Sequence, residues 1–475
     1  MNVIPSSISA LVTVVGLVVT VVVSLIALRL TLYWSSFIFG WHRYRNRNIY
    51  SDQEIIDAGP AHLKIQITTR GSEGSSEVVL RGINGVLRLF AESPSLAPYC
   101  SIEVVSESAD QLDMIESVYA DAPIRVCGLV VPHDYRTPNA TGLKARALHY
   151  AVEARRLGWN AVPGRVFIVH FDEESVMLPG ELRKLLYVLA TTEKSILEGP
   201  IYYPLEYQHA SALCKSMEAN RPAGCFECRT VMEKGVPLHL HGSNLVVEEK
   251  LENEIGWDIG QLDGNYFIAE DFVFGMNNFL RYGPDIFGWH GCVIFEQPPF
   301  SFKSAFRQRH RWIFGVLQGL AAARESEGFR ALPRGVQLRF LWGTRIRTLT
   351  FAAGALVGAF SVALLPITVV LAGFALATGE PSKVNPVLTI WMTIVGSLWL
   401  GTVMIGAWLN VRDANMTGTR REHEVAQAVA IAPLAGVLES SAGAKALIDW
   451  CRGKREIAWI PTPKTVSADS AVNTG

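Results

Sequence analysis

Two apolar regions, one near each end, flank a middle region of ordinary polarity in this chain of 475 residues. The first apolar run, 10–28, carries no charge and, at about 1.5 Å of rise per residue, is long enough to cross a bilayer as a helix. No Lys or Arg precedes it, which is unlike the basic start of a signal peptide. We therefore expect a transmembrane helix within residues 1–40, with the N-terminus outside and the next region in the cytosol.

Two further apolar runs lie near the C-terminus, at 349–377 and 387–409. Both are long enough to span a bilayer. Arginines follow the second run, so two crossings would return the chain to the cytosolic side. We predict two transmembrane helices within residues 348–410.

The segment 425–448 is apolar but carries Glu439 and Lys445. Charged residues are costly at the centre of a bilayer, so we favour an interfacial or re-entrant helix over a fourth crossing within residues 411–460. The last residues, 461–475, show no periodicity and few apolar side chains. We expect them to form a disordered tail.

Between the apolar ends, short β-branched runs alternate with amphipathic helical stretches. The predicted strands are 62–69, 101–107, 124–131 and 165–172, and the clearest predicted helices are 77–90 and 142–158. This alternation is typical of a βαβ sheet. We predict one cytosolic α/β domain over residues 41–347, whose C-terminal part lies at the membrane surface.

Composition agrees with a membrane protein that has a large water-facing domain. Hydrophobic residues make up 49% of the chain, charged residues make up 18%, and the mean hydropathy is +0.22. Such a chain is too apolar for an average cytosolic enzyme. Its 43 basic and 44 acidic residues give a net charge of −1, without the basic excess of nucleic-acid binders. We expect no nucleic-acid partner.

The seven cysteines are odd in number and scattered, which argues against a disulfide framework and favours a reducing compartment. Cys225-x-x-Cys228 is followed by His239 and His241, and this spacing is compatible with a zinc site. A single Cys-x-x-Cys pair specifies little, so we favour thiols packed in a loop.

Two acidic clusters are candidates for chemistry. Asp172-Glu173-Glu174 ends an apolar strand, and acidic residues there point into the ligand crevice of open α/β sheets. Asp172 and Glu174 can hold Mg²⁺ or Mn²⁺ while phosphate oxygens complete the shell, and the alternative is an exposed acidic turn. Glu270-Asp271 lies inside an apolar stretch, either as a helix-capping pair or as functional acids whose pKa is raised by desolvation.

A basic and aromatic cluster is formed by Gln308, Arg311 and Trp312. A guanidinium beside an indole can pair with a phosphate while the ring packs against a sugar, and the amide supplies hydrogen bonds. The alternative is a basic stripe that binds anionic headgroups, a role that we assign to the arginines within 324–347.

The order Asp-x-acidic, Glu-Asp and Gln-x-x-Arg-Trp resembles membrane-bound family 2 glycosyltransferases, which include cellulose, chitin and hyaluronan synthases. The segments LKARALHY, VHFDEES, HGSNLVV, AEDFVFG and EQPPFSFKSAFRQRHRW are similar in particular to Egghead-type β-1,4-mannosyltransferases. The resemblance covers residues 60–315 and implies a GT-A domain, which is a Rossmann-like α/β fold, joined to transmembrane helices.

The resemblance also implies roles for individual residues. Asp271 matches the catalytic base, and Glu270 matches its neighbour near the acceptor. The clamp for the acceptor and the diphosphate is matched by Gln308, Arg311 and Trp312.

The same resemblance implies a donor site with Mg²⁺ or Mn²⁺ as cofactor. Asp172 and Glu174 match the metal motif, although the family more often has Asp at the last position. The positions that match donor-binding residues are Thr69, Arg70, Glu107, Lys144 and Asp172. The usual Asp-Asp-Gly-Ser is absent from this chain.

The resemblance therefore implies an inverting, metal-dependent glycosyltransferase that moves a hexose from a nucleotide sugar, with mannose from GDP-mannose favoured. The implied acceptor is lipid-linked or is a glycan near the membrane, and membrane lipids are further partners. A processive polysaccharide synthase is the enzymatic alternative, although three or four helices are few for a glycan channel and would require an oligomer. An inactive membrane scaffold or a transporter is the non-enzymatic alternative. We expect a multi-pass protein with a cytosolic catalytic domain, in a bacterial inner membrane rather than a Golgi or endoplasmic reticulum membrane.

Overall fold

The computed structural model describes residues 17, 20–31, 34–35, 37–38, 44–72, 74–234, 240–379, 386–414, 416 and 418–464. The helices are α1 (Thr20–Thr31), α2 (Asp52–Asp57), α3 (Ser75–Glu92), α4 (Ala109–Val118), α5 (Leu143–Arg156), α6 (Pro179–Thr191), α7 (Ala212–Glu218), α8 (Asn220–Lys234), α9 (Glu249–Ile255), α10 (Glu270–Tyr282), α11 (Phe302–Glu325), α12 (Glu327–Ala331), α13 (Arg334–Thr378), α14 (Pro386–Asp413) and α15 (Gly418–Cys451). The strands are β1 (His62–Thr69), β2 (Cys100–Ser106), β3 (Arg125–Val130), β4 (Val166–Asp172), β5 (Val176–Met177), β6 (Ile196–Glu198), β7 (Ile201–Tyr202), β8 (Leu245–Glu248), β9 (Gln261–Leu262), β10 (Asn265–Tyr266), β11 (Phe287–Trp289) and β12 (Ile294–Phe295).

A seven-stranded sheet organises the part of the chain that the structure describes, in the order β11-β6-β8-β4-β1-β2-β3. The strands β4, β1, β2 and β3 are parallel, and β8 runs antiparallel between β4 and β6. Other described strands form a small three-stranded sheet, in the order β5-β12-β7, and an antiparallel pair, β9 and β10. The mixed sheet with its interleaved helices confirms the predicted α/β fold.

The strand β4 shows why the central strands form where the sequence predicts them. Its residues VFIVHFD are buried on both faces as far as Asp172, as a parallel strand covered by helices requires. The observed β1 has the predicted bounds, and the other three predicted strands agree with β2, β3 and β4 to within one residue at each end. The two clearest predicted helices agree with α3 and α5 to within two residues.

Apolar side chains pack on both faces of the sheet. Ile83 of α3 and Leu185 of α6 belong to the cluster on one face, and Leu148 of α5 belongs to the cluster on the other. Trp257 and Phe274 stack in the second cluster with their ring centres 3.9 Å apart. The sheet is therefore the middle of three layers.

A buried ion network fixes α5 and α9 to the sheet. Arg155 of α5 lies 2.5 Å from a carboxylate oxygen of Glu252 in α9, and His170 of β4 lies 2.8 Å from the other oxygen. Removal of one partner from such a buried network costs about 3–5 kcal/mol. The network therefore holds α5, which carries Lys144, in place beside β4, which carries Asp172.

Three helices of the described residues are long and apolar enough to cross a membrane, namely α13, α14 and α15. The shorter apolar helix α1 covers the described part of the first predicted span. The helix α13 begins at Arg334, ahead of the apolar run at 349–377, so the same helix extends beyond that run on its N-terminal side.

The helix α15 contains the segment 425–448 and is a candidate span by length and composition. Our preference for an interfacial helix stays a prediction. Glu439 of α15 is buried and lies 3.6 Å from Arg309 of α11, so its charge has a partner within the protein. Gly443 allows close packing against α13, because a Cβ there would lie 2.8 Å from Ala352 Cα.

Candidate active site

The predicted site residues meet at the carboxyl edge of the sheet. The parallel strands β1, β2 and β4 end side by side, and residues that follow them face one crevice. This crevice deepens into a cavity of about 510 Å³ that is also lined by α10, α11 and α13. The predicted residues that line it are Thr69, Arg70, Glu107, Lys144, Asp172, Glu174, Glu270, Asp271, Gln308, Arg311 and Trp312.

Two lysines face the acidic cluster after β4. Lys144 donates hydrogen bonds to Asp172 and, at 2.9 Å, to the carbonyl oxygen of Gly242. Lys464 donates to Oε1 of Glu174. Burial opposes the charge on Lys144, but the carboxylates of Asp172, Glu270 and Asp271 together outweigh burial and raise the pKa of the lysine. The ammonium group therefore stays charged at neutral pH.

The acidic cluster carries more carboxyl groups than the lysines neutralise. Burial raises the pKa of Glu173. Burial, with Glu174 and Asp172 adding to it, raises the pKa of Glu296 to about 8. Burial also disfavours the charge on Asp172, but Lys144 outweighs it and lowers the pKa of Asp172. At neutral pH Asp172 is therefore ionised and Glu296 is protonated.

Asp172 and Glu174 offer a partial ligand set for a divalent ion. Carboxylate oxygens are the ligands that Mg²⁺ and Mn²⁺ prefer. Oε2 of Glu174 is buried without a hydrogen-bond partner, so an oxygen ligand is available there. No three His, Cys, Asp or Glu side chains in the described ranges form a metal site by themselves, so phosphate oxygens would have to complete the shell. The residues fit a metal that arrives with a diphosphate.

Glu270 and Asp271 are the first two residues of α10, after Ala269 as the N-cap. Oδ1 of Asp271 accepts a hydrogen bond from the backbone N–H of Phe272 at 2.8 Å. Burial, with the charge of Glu270 adding to it, raises the pKa of Asp271 well above its ordinary value. The pair begins a helix and also lies in the cavity, and a carboxylate with raised proton affinity is suited to accept a proton.

The residues Gln308, Arg311 and Trp312 lie on one face of α11, because side chains three and four positions apart are neighbours on a helix. Burial lowers the pKa of Arg311 to about 10, so the guanidinium stays charged at neutral pH. Its Nη1 donates to the carbonyl oxygen of Ile460 at 2.8 Å. The guanidinium of Arg221 lies 4.1 Å from the ring centre of Trp312, which supports the indole from α8.

The donor residues predicted from the first strands have partners at the cavity wall. Oγ1 of Thr69 donates to a carboxylate oxygen of Glu173 at 2.8 Å. Arg146 of α5 donates to Glu107, which follows β2. These contacts orient Thr69 and Glu107 at the cavity wall.

Residues 455–464, which we name the C-terminal strap, cross the cavity. The ring centre of Trp459 lies 4.1 Å from the guanidinium of Arg70, and Lys464 reaches Glu174. The sequence predicts that 461–464 belong to a disordered tail. The structure instead packs these four residues against the site, because buried carboxylates there provide a partner for the lysine.

Sequence reasoning also missed Arg221, Tyr203 and Glu296, which line the same cavity. Arg221 and Tyr203 lie in stretches without a distinctive motif, and only the fold brings them to the site. Glu296 has a signal in the sequence, because it is the first residue of EQPPFSFKSAFRQRHRW, one of the segments similar to Egghead-type β-1,4-mannosyltransferases.

The Cys-x-x-Cys pair lies on α8 rather than in a loop. Sγ of Cys228 is 3.6 Å from Nε2 of His241, and His239 lies outside the described residues. Within those residues no group of three His, Cys, Asp or Glu side chains could hold a metal ion, so the zinc alternative gains no support there.

Two relatives with curated names match part of the chain. The β-1,4-mannosyltransferase egh of Drosophila melanogaster is 25% identical over 277 residues, which cover 57% of this chain and 56% of that protein. The β-1,4-mannosyltransferase bre-3 of Caenorhabditis elegans is 26% identical over 210 residues, which cover 44% of each chain. The chain thus spans about half the length of the curated relatives that it matches.

Solved structures with a similar backbone include the mannosyltransferase PcManGT from Pyrobaculum calidifontis in complex with GDP-Man and Mn²⁺. It is 14% identical, with a TM-score of 0.39, and the match covers 82% of this chain and 99% of that chain. Residues 1–349 of TarS from S. aureus are 12% identical, with a TM-score of 0.35, and the match covers 83% of this chain and 92% of that chain.

A family model described as glycosyl transferase family group 2 matches residues 167–408, which is just over half of the chain. The match begins inside β4 and extends through the acidic cluster, α10 and α11 into α14. The chain belongs to glycosyl transferase family group 2.

Proposed function

We propose that the protein is an inverting, metal-dependent hexosyltransferase that uses a nucleotide sugar, with mannose from GDP-mannose as the favoured donor. Membership of the glycosyltransferase family supports sugar transfer, and the names of the relatives favour mannose. The observation that carries the proposal is one cavity that contains an acidic cluster, a buried carboxylate pair and a basic, aromatic helix face.

Asp271 is the proposed base. It accepts the proton of the acceptor hydroxyl while the hydroxyl oxygen forms a bond to the anomeric carbon of the donor sugar. The bond from that carbon to the diphosphate breaks on the opposite face, and the nucleoside diphosphate leaves with the electron pair. Attack and departure on opposite faces invert the anomeric configuration. The raised pKa of Asp271 suits this role because it makes the carboxylate a stronger base.

The leaving diphosphate needs positive charge. Arg311 and Lys144 are charged at neutral pH and line the cavity, so we assign them to the diphosphate. Asp172 and Glu174 would hold the divalent ion, which, when bound, neutralises diphosphate charge. We assign three residues at the ends of β1 and β2 to the nucleotide, namely Thr69, Arg70 and Glu107.

The acceptor is proposed to be lipid-linked or to lie near the membrane. The residues Thr344, Arg347, Thr348 and Phe351 of α13 line the cavity, and α13 is a candidate membrane span. We assign Gln308 and Trp312 to the acceptor because an amide and an indole suit the hydroxyls and the apolar face of a sugar. A multi-pass arrangement with the catalytic domain in the cytosol, in a bacterial inner membrane rather than a Golgi or endoplasmic reticulum membrane, is part of the proposal.

The test is release of nucleoside diphosphate by the full chain in nanodiscs with a total lipid extract as acceptor. We expect one donor among GDP-mannose, UDP-glucose, UDP-GlcNAc and UDP-galactose to turn over with Mn²⁺ and not with a chelator. The variant Asp271→Asn should lower the turnover number by about 10²–10⁴-fold, which is the usual contribution of a general base. Asp285→Asn, an exposed substitution away from the cavity, is the matched control. Turnover that survives in Asp271→Asn would contradict the assignment of the base, and failure of all donors to bind would contradict the proposed function.

A further inference from the structure

A second cavity of about 190 Å³ adjoins the candidate active site on the side of the membrane helices. It is lined by residues of α1, α8, α13 and α14. The residues that line both cavities are Ile201, Tyr203, Arg221, His241, Arg347 and Phe351. A change in the wall of the smaller cavity can therefore reach the active site through shared side chains.

Cys225 and Cys228 line this second cavity and are almost fully buried. They lie one turn apart on α8, and each thiol donates to the carbonyl oxygen four positions earlier, at 3.6 Å from Cys225 to Arg221 and at 3.7 Å from Cys228 to Gly224. Cβ atoms at this spacing on a helix are about 5–6 Å apart, while a disulfide needs about 3.5–4.5 Å. The bond therefore requires this helical turn to close by about 1–2 Å.

The two thiols differ in reactivity. The neighbouring Cys228 side chain lowers the pKa of Cys225 although burial opposes it, and the positive charge of Arg221 adds to the effect. Burial alone raises the pKa of Cys100, and burial is also the main cause of the raised pKa of Cys292. Because the thiolate is the reactive form, Cys225 is the better nucleophile of these cysteines.

We propose that Cys225 and Cys228 form a reversible disulfide when a peroxide is the oxidant, and that this disulfide slows turnover at the active site. The Cys225 thiolate attacks one peroxide oxygen, the O–O bond breaks, and hydroxide leaves to take up a proton as water. Cys228 then attacks the sulfur of the sulfenic acid, and the S–O bond breaks to release a second water. Two thiols are oxidised and one hydrogen peroxide is reduced.

The link to the active site runs through His241 and Gly242. Sγ of Cys228 lies 3.6 Å from the ring of His241, and a bond to Cys225 draws this sulfur along the helix. The next residue, Gly242, accepts a hydrogen bond from Lys144 at 2.9 Å. A Cβ at Gly242 would lie 3.4 Å from Oδ2 of Asp271, so the backbone there is part of the wall beside the proposed base. The effect on turnover rests on the proposed function, whereas the disulfide itself does not.

The experiment treats the reduced full chain in nanodiscs with hydrogen peroxide and then measures peptide masses and donor turnover. We expect the peptide with both cysteines to become two hydrogens lighter, and dithiothreitol to restore it. Turnover should fall at least about tenfold, since a shift of about 1 Å at a reacting centre can cost on the order of a hundredfold. Cys225→Ser and Cys228→Ser should retain turnover under peroxide. Cys451→Ser, which removes the exposed thiol, should respond like the unmodified chain.

Three results would overturn the proposal. One is a peptide that keeps both thiols under conditions that oxidise Cys451. Another is a disulfide that forms without loss of turnover, and a third is equal inactivation of Cys225→Ser and Cys228→Ser. If the reduced protein turns over no donor, the proposed function fails, and the peptide mass still decides whether the disulfide forms. The mass measurement on the unmodified chain also remains decisive if a serine variant does not fold.

Discussion

At the scale of single residues, the site depends on carboxylates that the protein keeps close together. Glu270 and Asp271 are adjacent in sequence and share one end of α10. Desolvation raises the pKa of both groups, and the charge of Glu270 raises the pKa of Asp271 further. Their proton affinities are therefore coupled, and a change at one should be visible in the titration of the other.

Glu270→Gln is expected to move the acid limb of the pH profile of kcat/KM to lower pH. Asp271 must be ionised to act as a base, so activity rises with pH through its pKa. That pKa is raised by burial and by the charge of Glu270, and the amide removes the second cause. The measurement is the rate of nucleoside diphosphate release as a function of pH, from about pH 4 to about pH 9. An acid limb that stays in place would show that Asp271 does not set it.

Glu198→Gln is expected to stabilise the protein at alkaline pH. Burial raises the pKa of Glu198 to about 8 from an unfolded value of 4.5, so the folded state binds more protons between these values. The stability of the unmodified chain therefore falls as pH rises through this window, by about 1.4 kcal/mol for each unit of pKa shift.

Thermal unfolding of the Glu198→Gln variant and the unmodified chain should give similar melting temperatures near pH 4.5. At pH 9 the variant should melt at the higher temperature. Glu92→Gln, at an exposed carboxylate on the surface of α3, is the control and should show no such pH dependence. A constant difference across pH would contradict the linkage.

At the scale of elements, the C-terminal strap is the element that most alters the picture drawn from the sequence. It crosses the cavity and presents Lys464 to Glu174, one of the proposed metal ligands. Burial opposes the charge on Lys464, but the carboxylates of Glu174, Glu173 and Asp172 together outweigh burial and raise the pKa of the lysine. The ammonium group therefore competes with a divalent ion for the same carboxylate.

Lys464→Ala is expected to lower the Mn²⁺ concentration that gives half-maximal binding in the presence of GDP. Removal of a competing cation leaves the carboxylate open to the metal, and a change of about 3- to 30-fold corresponds to about 0.7–2 kcal/mol of coupling. The measurement is titration calorimetry with Mn²⁺ on the full chain in nanodiscs. Lys250→Ala, an exposed substitution on α9, is the control. Weaker Mn²⁺ binding in Lys464→Ala would show that the lysine supports the metal site rather than competing with it.

At the scale of the whole molecule, the cavity lies where the sheet meets the membrane helices. The helix α11 carries the clamp residues and packs against α13 and α15. Arg29 of α1 lies 2.5 Å from Glu227 of α8, so the first apolar helix is also tied to the catalytic domain. This arrangement places the site beside the candidate membrane-spanning helices.

An acceptor embedded in the same bilayer is therefore expected to react faster than its headgroup in solution. Confinement of enzyme and acceptor raises their effective concentration to about the millimolar range. The measurement compares donor turnover in nanodiscs that contain a total lipid extract with turnover in lipid-free detergent plus the water-soluble glycans released from that extract, at equal acceptor concentration. Faster reaction with the soluble glycans would contradict a membrane-proximal acceptor.

Much of the fold was predictable because its determinants are local. Apolar runs such as the one in β4 predict buried strands, and the regular spacing of apolar side chains predicts α5. The three clusters of the site were also visible as motifs, and the acidic cluster after β4 was expected in the ligand crevice because the carboxyl ends of parallel strands converge there. The residues Asp172, Asp271 and Arg311 therefore reach one cavity as their motifs predict.

What the sequence by itself determined was the α/β class, the apolar helices and the composition of the site. Only the tertiary structure decided which charges share the cavity. Lys464 lies 290 residues from Glu174 along the chain, and Arg221 stacks on Trp312 from a different helix. No local pattern encodes such contacts, because they depend on how α8, α11 and the C-terminal strap pack together, and this packing sets the burial that shifts each pKa.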